Sequence, residues 1–146
     1  LALVEHAQLL NTASEFFKDD KEKFFYYSNL AEEAVNKSIQ ASPGRIPIYF
    51  QKAQIYLTRG EMDKAIDTLN YAISLSGDYY ESICKLAKIQ VLINKSEGYD
   101  NISKCLDKGG AGELYPSGFI AQLINYYTDK KDSVKVLKLY ERMAQL

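Results

Sequence analysis

Tryptophan, histidine, cysteine and proline are scarce in this sequence, with none, one, two and three among 146 residues. The single histidine, His6, has no second histidine or cysteine pair beside it, so the ligand spacing of a zinc site is missing. Long apolar runs are missing too, and the longest fall far short of the roughly 20 residues that span a bilayer. The sequence therefore predicts neither a metal site nor direct insertion of this segment into a membrane.

The sequence also lacks an excess of charge of either sign. Lysine and arginine number 18 against 19 aspartate and glutamate, for a formal net charge of −1. A nucleic-acid partner would need a strongly basic face, so none is predicted. The composition, 47% apolar and 25% charged, is that of one globular domain. Because the first residues are Leu-Ala-Leu rather than Met, we expect a soluble domain of a longer, membrane-anchored or free protein, either cytoplasmic or extracytoplasmic.

Catalytic motifs are absent as well: the sequence has no G-x-S-x-G, no H-E-x-x-H, no P-loop and no dinucleotide fingerprint. His6 lies in a helical pattern beside Ala7, where a solvated or half-buried histidine is expected rather than a general base. The pair Glu32–Glu33 is adjacent in sequence, so its carboxylates point to different sides of a helix. We predict a non-enzymatic protein without catalytic, cofactor-binding or metal-binding residues.

The two cysteines, Cys84 and Cys105, leave two interpretations. The favoured one is a pair of free thiols acting as small apolar side chains. The alternative is a disulfide bond between the two helices of one hairpin. The free-thiol interpretation predicts that Cys84 faces an open groove and reacts with thiol reagents in the folded protein.

An internal repeat organises the chain. A shift of 34 residues brings like residues together, and a fixed period in this range is typical of a solenoid. The matched sets include Ala31 with Ala65, Val35 with Leu69, Ala53 with Ala87 and Ala121, and Ile55 with Ile89 and Leu123.

The clearest copy of the repeat is residues 46–78, which has apolar residues at helical spacing on both sides of Gly60. Pro47 suits a first helical turn, and Gly60 suits a left-handed residue that ends one helix before the next begins. Ala53, Ala65 and Ala87 are expected to be buried where two helix backbones approach closely. Such a pair of helices cannot cover its own apolar faces, so neighbours must stack on it.

These residues carry a resemblance to a known family. The pattern of Tyr49, Ala53, Tyr56, Gly60, Ala65, Leu69 and Ala72 resembles a tetratricopeptide repeat, with Lys52 and Gly77 as departures. The resemblance implies an all-α, right-handed solenoid of antiparallel helix hairpins. We expect about eight helices in one domain, 1–146, with hairpins at about 1–42, 46–76, 79–108 and 117–146. Tyr99 occupies the small-residue position of the third hairpin, and a glycine-rich loop is predicted from Lys108 to Gly118.

The resemblance also implies a binding surface, because first helices line the concave groove of such an array. This groove is expected to hold a protein or peptide segment. Phe50 and Tyr126 are the predicted hydrophobic anchors, Gln54 and Asn125 the hydrogen-bonding residues, and Lys88 the charged determinant. The predicted partner-binding residues of the groove are Phe50, Gln54, Leu57, Cys84, Lys88, Val91, Gln122, Asn125 and Tyr126.

A second resemblance concerns residues 42–66, which are similar to repeat segments of bacterial O-antigen ligase or polymerase-type membrane proteins. It implies an extracytoplasmic accessory domain in glycan assembly, and this is the alternative function. Self-association as a homo-oligomer is a third alternative. The aromatic run of residues 24–27 also has two interpretations. We expect Phe24 and Tyr27 in the core, and Phe25 and Tyr26 packed on the first helix, with an exposed aromatic patch as the alternative.

Overall fold

The computed structural model describes residues 2–76, 80–110 and 118–145. Within these ranges the chain forms eight α-helices and no β-strand, so the predicted all-α class is confirmed for the described residues. The helices are α1 (Ala2–Phe16), α2 (Lys21–Ala41), α3 (Ile46–Thr58), α4 (Met62–Ser76), α5 (Tyr80–Leu92), α6 (Glu97–Asp107), α7 (Phe119–Asp129) and α8 (Ser133–Ala144). Most of the predicted loop at 108–118 lies outside the described residues.

The helices form two compact units, Leu1–Asp78 and Tyr79–Leu146. In the first unit α1 packs on α2 and α3 on α4, and α3 also contacts both α1 and α2. In the second unit α5 packs on α6, α7 packs on α8, and α6 contacts α7. Consecutive helices are thus in contact in four pairs. The antiparallel hairpins, the solenoid and the single domain remain predictions.

Helix starts follow the local sequence. The carboxylate of Asp20 accepts a hydrogen bond from the Lys23 N–H at 3.2 Å, and Asp132 does the same for Lys135 at 3.2 Å. Both aspartates satisfy N–H groups that have no partner within the helix. Pro47 lies in the first turn of α3, as predicted, where its missing N–H costs nothing.

Gly60 ends α3 in the predicted left-handed conformation, with φ +75°. The Gly60 N–H donates to the Leu57 carbonyl at 2.9 Å, and the Glu61 N–H donates to the Tyr56 carbonyl at 2.8 Å. These two bonds form a Schellman motif, which satisfies carbonyls at the end of the helix. The turn between α3 and α4 is therefore set by one backbone conformation.

The same motif ends the first helix of the next two pairs. Asn94 follows α5 with φ 59°, and Lys131 follows α7 with φ 56°. Asn94 comes 34 residues after Gly60, as the repeat predicts, but Lys131 comes 37 residues after Asn94. The fourth pair is therefore displaced by three residues. The predicted match of Ala87 with Ala121 is wrong for this reason, and Ala121 is exposed.

Small residues lie at the helix contacts. Ala53 is 3% exposed, and Ala65 and Ala87 are 0% exposed, which confirms the prediction for all three. In the first unit the core also contains aliphatic side chains that join α2 to α3, among them Val35, Ile48 and Ile55. In α6 the small residue is Gly98 rather than the residue at position 99. A Cβ on Gly98 would lie 2.7 Å from the Val91 backbone nitrogen, so α6 approaches the end of α5 closely.

Cys84 of α5 and Cys105 of α6 form a disulfide bond, with their Cα atoms 5.0 Å apart. The prediction of two free thiols is therefore wrong, and the alternative of a bond within one hairpin is correct. Both cysteines are fully buried, because the two helices pack closely around them. Gly110 covers the bond: a Cβ there would lie 2.5 Å from either sulfur atom.

Candidate functional site

Three predicted groove residues share one stripe of α3, because Phe50, Gln54 and Leu57 are spaced by four and three residues. Gln54 is exposed, and Phe50 and Leu57 are half-buried. The opposite side of α3 is buried against its neighbours through Ile48 and Ile55. The α3 stripe thus remains accessible along most of the helix.

The first helix of the chain extends this stripe. The Asn11 side-chain amide of α1 donates to the Thr58 hydroxyl at 3.1 Å, and that hydroxyl donates to a Glu15 carboxylate oxygen at 3.0 Å. Asn11 is 7% exposed, and its Oδ1 is buried without a hydrogen-bond partner among the described residues. Apolar, amide and carboxylate groups therefore lie together where α1 and α3 meet. We call this set the α1–α3 surface, formed by Asn11, Glu15, Phe50, Gln54, Leu57 and Thr58.

The groove positions predicted on α5 fit less well. Cys84 and Val91 are buried, at 0% and 4% exposure, so neither faces an open groove. The disulfide bond holds Cys84 against α6, and the close approach of Gly98 covers Val91. Lys88 is half-buried and is the accessible member of the predicted trio.

On α7, Gln122 and Asn125 are exposed, whereas Tyr126 is half-buried. The ring of Tyr126 stacks on Tyr99 of α6 with a centroid distance of 4.1 Å, and Lys130 Nζ lies 4.4 Å from the same ring. Tyr126 therefore joins α6 to α7 rather than presenting its ring to a groove. The three-residue displacement of this pair also makes Asn125, not Gln122, the counterpart of Lys88.

Sequence reasoning missed Arg59, which directly follows α3. Its Nε donates to the Ser28 hydroxyl at 2.5 Å, its Nη1 to a Glu32 carboxylate oxygen at 2.5 Å, and its Nη2 to the Asn29 side chain at 2.9 Å. The Arg59 side chain is only 7% exposed. All three partners belong to α2, so Arg59 joins the end of α3, and with it the α1–α3 surface, to α2.

Electrostatics support this junction. The Tyr56 hydroxyl donates to the other oxygen of Glu32 at 3.0 Å. Burial, together with this hydrogen bond to a carboxylate, raises the pKa of Tyr56 to about 12. Burial alone would raise the pKa of Glu32, but the hydrogen bonds from Arg59 and Tyr56 outweigh it and lower that pKa. No spacing rule links residues 27 positions apart, so the sequence held no local sign of this pair.

The aromatic run at the start of α2 is largely accessible. Phe25 is 44% and Tyr26 60% exposed, so the expectation that they pack on α1 is wrong. Phe24 and Tyr27 are half-buried rather than core residues. The aromatic contact between the end of α1 and α2 is made instead by Phe17, which follows α1. Its ring stacks on that of Tyr27, with 5.5 Å between the centroids.

The described residues contain no cluster of three or more histidine, cysteine, aspartate or glutamate side chains that could hold a metal ion. Among the same residues, no helix is both long enough and apolar enough to span a bilayer. Comparison with protein-family models and with curated proteins found no match to this chain.

Proposed function

We propose that this chain is a non-catalytic, tetratricopeptide-like scaffold of antiparallel helix hairpins that binds a protein segment. The repeat is supported by the turn that follows the first helix of the second and third pairs. Gly60 and Asn94, 34 residues apart, adopt the same left-handed conformation with the same two backbone hydrogen bonds. Equivalent turns at this spacing are what stacked hairpins need.

The α1–α3 surface is the proposed binding surface. Phe50 and Leu57 offer apolar area, and Gln54 can pair with the backbone of an extended peptide. The Asn11 amide, which donates to the Thr58 hydroxyl at 3.1 Å, holds α1 against this surface. The Arg59 junction holds α3 in place, so the surface is preorganised for binding.

A defined peptide tests this proposal. A peptide selected from a random phage-displayed library on the wild-type chain is titrated by calorimetry against three variants. We expect Phe50→Ala and Gln54→Ala to weaken binding about tenfold or more, because central anchors dominate interface energetics. Asn70→Ala is the matched control, since Asn70 is exposed on α4 away from this surface.

Thermal unfolding of each variant separates a loss of fold from a loss of binding. This matters for Phe50, which is half-buried, and less for the exposed Gln54. Equal affinity of wild type, Phe50→Ala and Gln54→Ala for every selected peptide would contradict the proposal.

An extracytoplasmic domain of a membrane protein in glycan assembly is the second candidate. The disulfide bond favours it, because such bonds form and persist mainly in oxidising compartments. Export of the chain with a cleavable signal should give the disulfide-bonded form in cells trapped with an alkylating agent. Titration of the disulfide-bonded protein with bacterial polysaccharides then tests whether the domain binds glycans. Absence of binding would contradict a role in glycan assembly.

A further inference from the structure

The second helix of every pair buries one aliphatic residue near its middle. This residue serves as a common reference point for comparing one face of the four helices. These residues are Val35, Leu69, Ile102 and Leu139, and each is at most 8% exposed. We define the flank face of each helix by four residues counted along the sequence from this buried aliphatic residue. They are the sixth, third and second residues before it and the first residue after it. Its members are Asn29, Glu32, Glu33 and Asn36 in α2; Asp63, Ile66, Asp67 and Asn70 in α4; Ser96 just before α6 with Tyr99, Asp100 and Ser103 in α6; and Ser133, Val136, Leu137 and Tyr140 in α8.

The flank face changes character in α8. It is mainly polar on α2, α4 and α6, but on α8 three of its four residues are apolar or aromatic. Leu137 is 60% and Tyr140 55% exposed. With Thr128 and Lys131, the flank face of α8 lines an open hollow of about 560 Å³. A contiguous apolar surface of this kind marks a contact site.

The equivalent faces indicate what kind of element this surface accepts. Glu32 on α2 accepts hydrogen bonds from Tyr56 and Arg59, which belong to α3 and its cap. Tyr99, at the same place on α6, stacks on Tyr126 of α7. In both units this position contacts the first helix of the following pair. Val136 holds the same position on α8, so the element that fits there is another first helix.

The chain itself contains a first helix with an uncovered apolar stripe. Leu9 and Phe16 of α1, seven residues apart and therefore on one side of the helix, are 70% and 82% exposed. Helix α1 contains Glu5 and Glu15 and no lysine or arginine, for a net charge of −2. Residues 129–142, which include most of α8, contain five basic and three acidic side chains, for a net charge of +2. Charge and apolar pattern are thus complementary.

We propose that the flank face of α8 binds α1 of a second copy, so that chains associate head to tail. Such an interface is heterologous, because different surfaces of the two copies meet. A single helix on one face buries less area than a standard stable interface, so we expect weak, concentration-dependent association. The stripe of Leu9 and Phe16 is a different surface from the proposed peptide site, and the two share only Glu15, which contributes to the charge of α1.

Sedimentation equilibrium of the full chain, from about 10 µM to about 500 µM, is the first measurement, in the range expected of small interfaces. We expect the average mass of the wild type to rise with concentration. Leu137→Glu places an acidic group against acidic α1, and Leu9→Lys places a basic group against basic α8. Each should weaken association at least tenfold, and both positions are exposed, so circular dichroism should show an unchanged fold.

Mixing the two variants distinguishes this arrangement from symmetric pairing. The Leu9→Lys chain keeps an intact α8 face, and the Leu137→Glu chain keeps an intact α1. A head-to-tail interface therefore predicts that the mixture regains dimers, whereas neither variant forms them alone. Leu92→Glu is the control, since Leu92 is 71% exposed at the end of α5, outside both surfaces, and should associate like the wild type.

Three results would overturn the proposal. The wild type could remain monomeric over the whole range. The mixture of Leu137→Glu and Leu9→Lys could stay monomeric. Finally, Leu137→Glu alone could abolish association while Leu9→Lys leaves it intact, which would indicate symmetric pairing of two α8 faces or a different partner for α8.

Discussion

Replacement of Arg59 by methionine isolates the contribution of its guanidinium, because methionine keeps an unbranched apolar stem of similar length. The change leaves the Ser28 hydroxyl, on a fully buried residue, without its donor. An unsatisfied buried polar group costs about 1–3 kcal/mol. It also leaves Glu32 without its cation, and breaking a fully buried pair costs about 3–5 kcal/mol.

The cost of breaking the ion pair must be lower than for a fully buried pair, since the Glu32 side chain is 26% exposed. Glu32 also keeps the hydrogen bond from the Tyr56 hydroxyl. We therefore expect Arg59→Met to lower the free energy of unfolding by about 2–4 kcal/mol. Urea unfolding followed by far-UV circular dichroism measures this. A loss below about 1 kcal/mol would refute the reasoning, because it would mean that the buried cation contributes no more than a surface ion pair.

A double-mutant cycle with Glu32→Gln tests the pair itself. We expect the double variant to lose about 1–2 kcal/mol less than the sum of the two single losses, since both remove the same interaction. Additive losses would show that Arg59 acts through Ser28 and Asn29 rather than through Glu32.

The same pair has a signature in acid. The pKa of Glu32 is lowered in the folded state from its ordinary value of 4.5, so the unfolded chain takes up this proton at higher pH than the folded chain. Its contribution to stability is therefore present above that ordinary value and is lost as the pH falls through the folded pKa. The stability difference between wild type and Glu32→Gln should shrink below about pH 4.5, and a constant difference would contradict the assignment.

Three further predictions concern the turns, the small residues and the disulfide bond. Gly60→Val should lower the free energy of unfolding by about 1–2 kcal/mol through backbone strain alone, since no atom lies within 4 Å of a Cβ there. Lys131→Gly should raise it by about 1 kcal/mol, because glycine adopts the left-handed conformation without strain. Changes of the opposite sign in urea unfolding would contradict both predictions. Ala65→Leu should cost about 1–3 kcal/mol by overpacking a fully buried site, and an unchanged unfolding midpoint would argue against that packing. Reduction of the Cys84–Cys105 bond should lower stability by about 2–4 kcal/mol, whereas a variant with alanine at both positions should not respond to reductant; native protein that reacts with a thiol reagent would show that the bond is not formed.

Local chemistry explains the features that could be predicted from the sequence. Helical spacing of apolar residues predicts the eight helices, since this pattern depends only on which residues share a helix face. The left-handed turn at Gly60 and the start of α3 at Pro47 follow from backbone preferences of single residues. Burial of Ala65 follows from the repeat, because a small side chain at a fixed place lets two helices approach.

The exposure of one stripe of α3 was also predictable. Gln54 and its neighbours on α3 share the accessible stripe that the family pattern assigns to them, because that stripe lies close to the well-matched turn at Gly60. The pattern failed on α5 and α7. There, the burial of Cys84 and Val91 and the stacking of Tyr126 depend on how closely α6 packs against each helix.

The sequence by itself determined the helices and the buried small residues Ala53, Ala65 and Ala87, since these depend on residues at most one pair apart. Only the tertiary structure decided three other features: the disulfide bond, the three-residue displacement of α7 and α8, and the junction of Arg59 with Glu32. Each depends on the distance and orientation of side chains from different helices. A difference of one residue turns a side chain by about 100° around a helix axis, and a repeat pattern with insertions does not resolve such a difference.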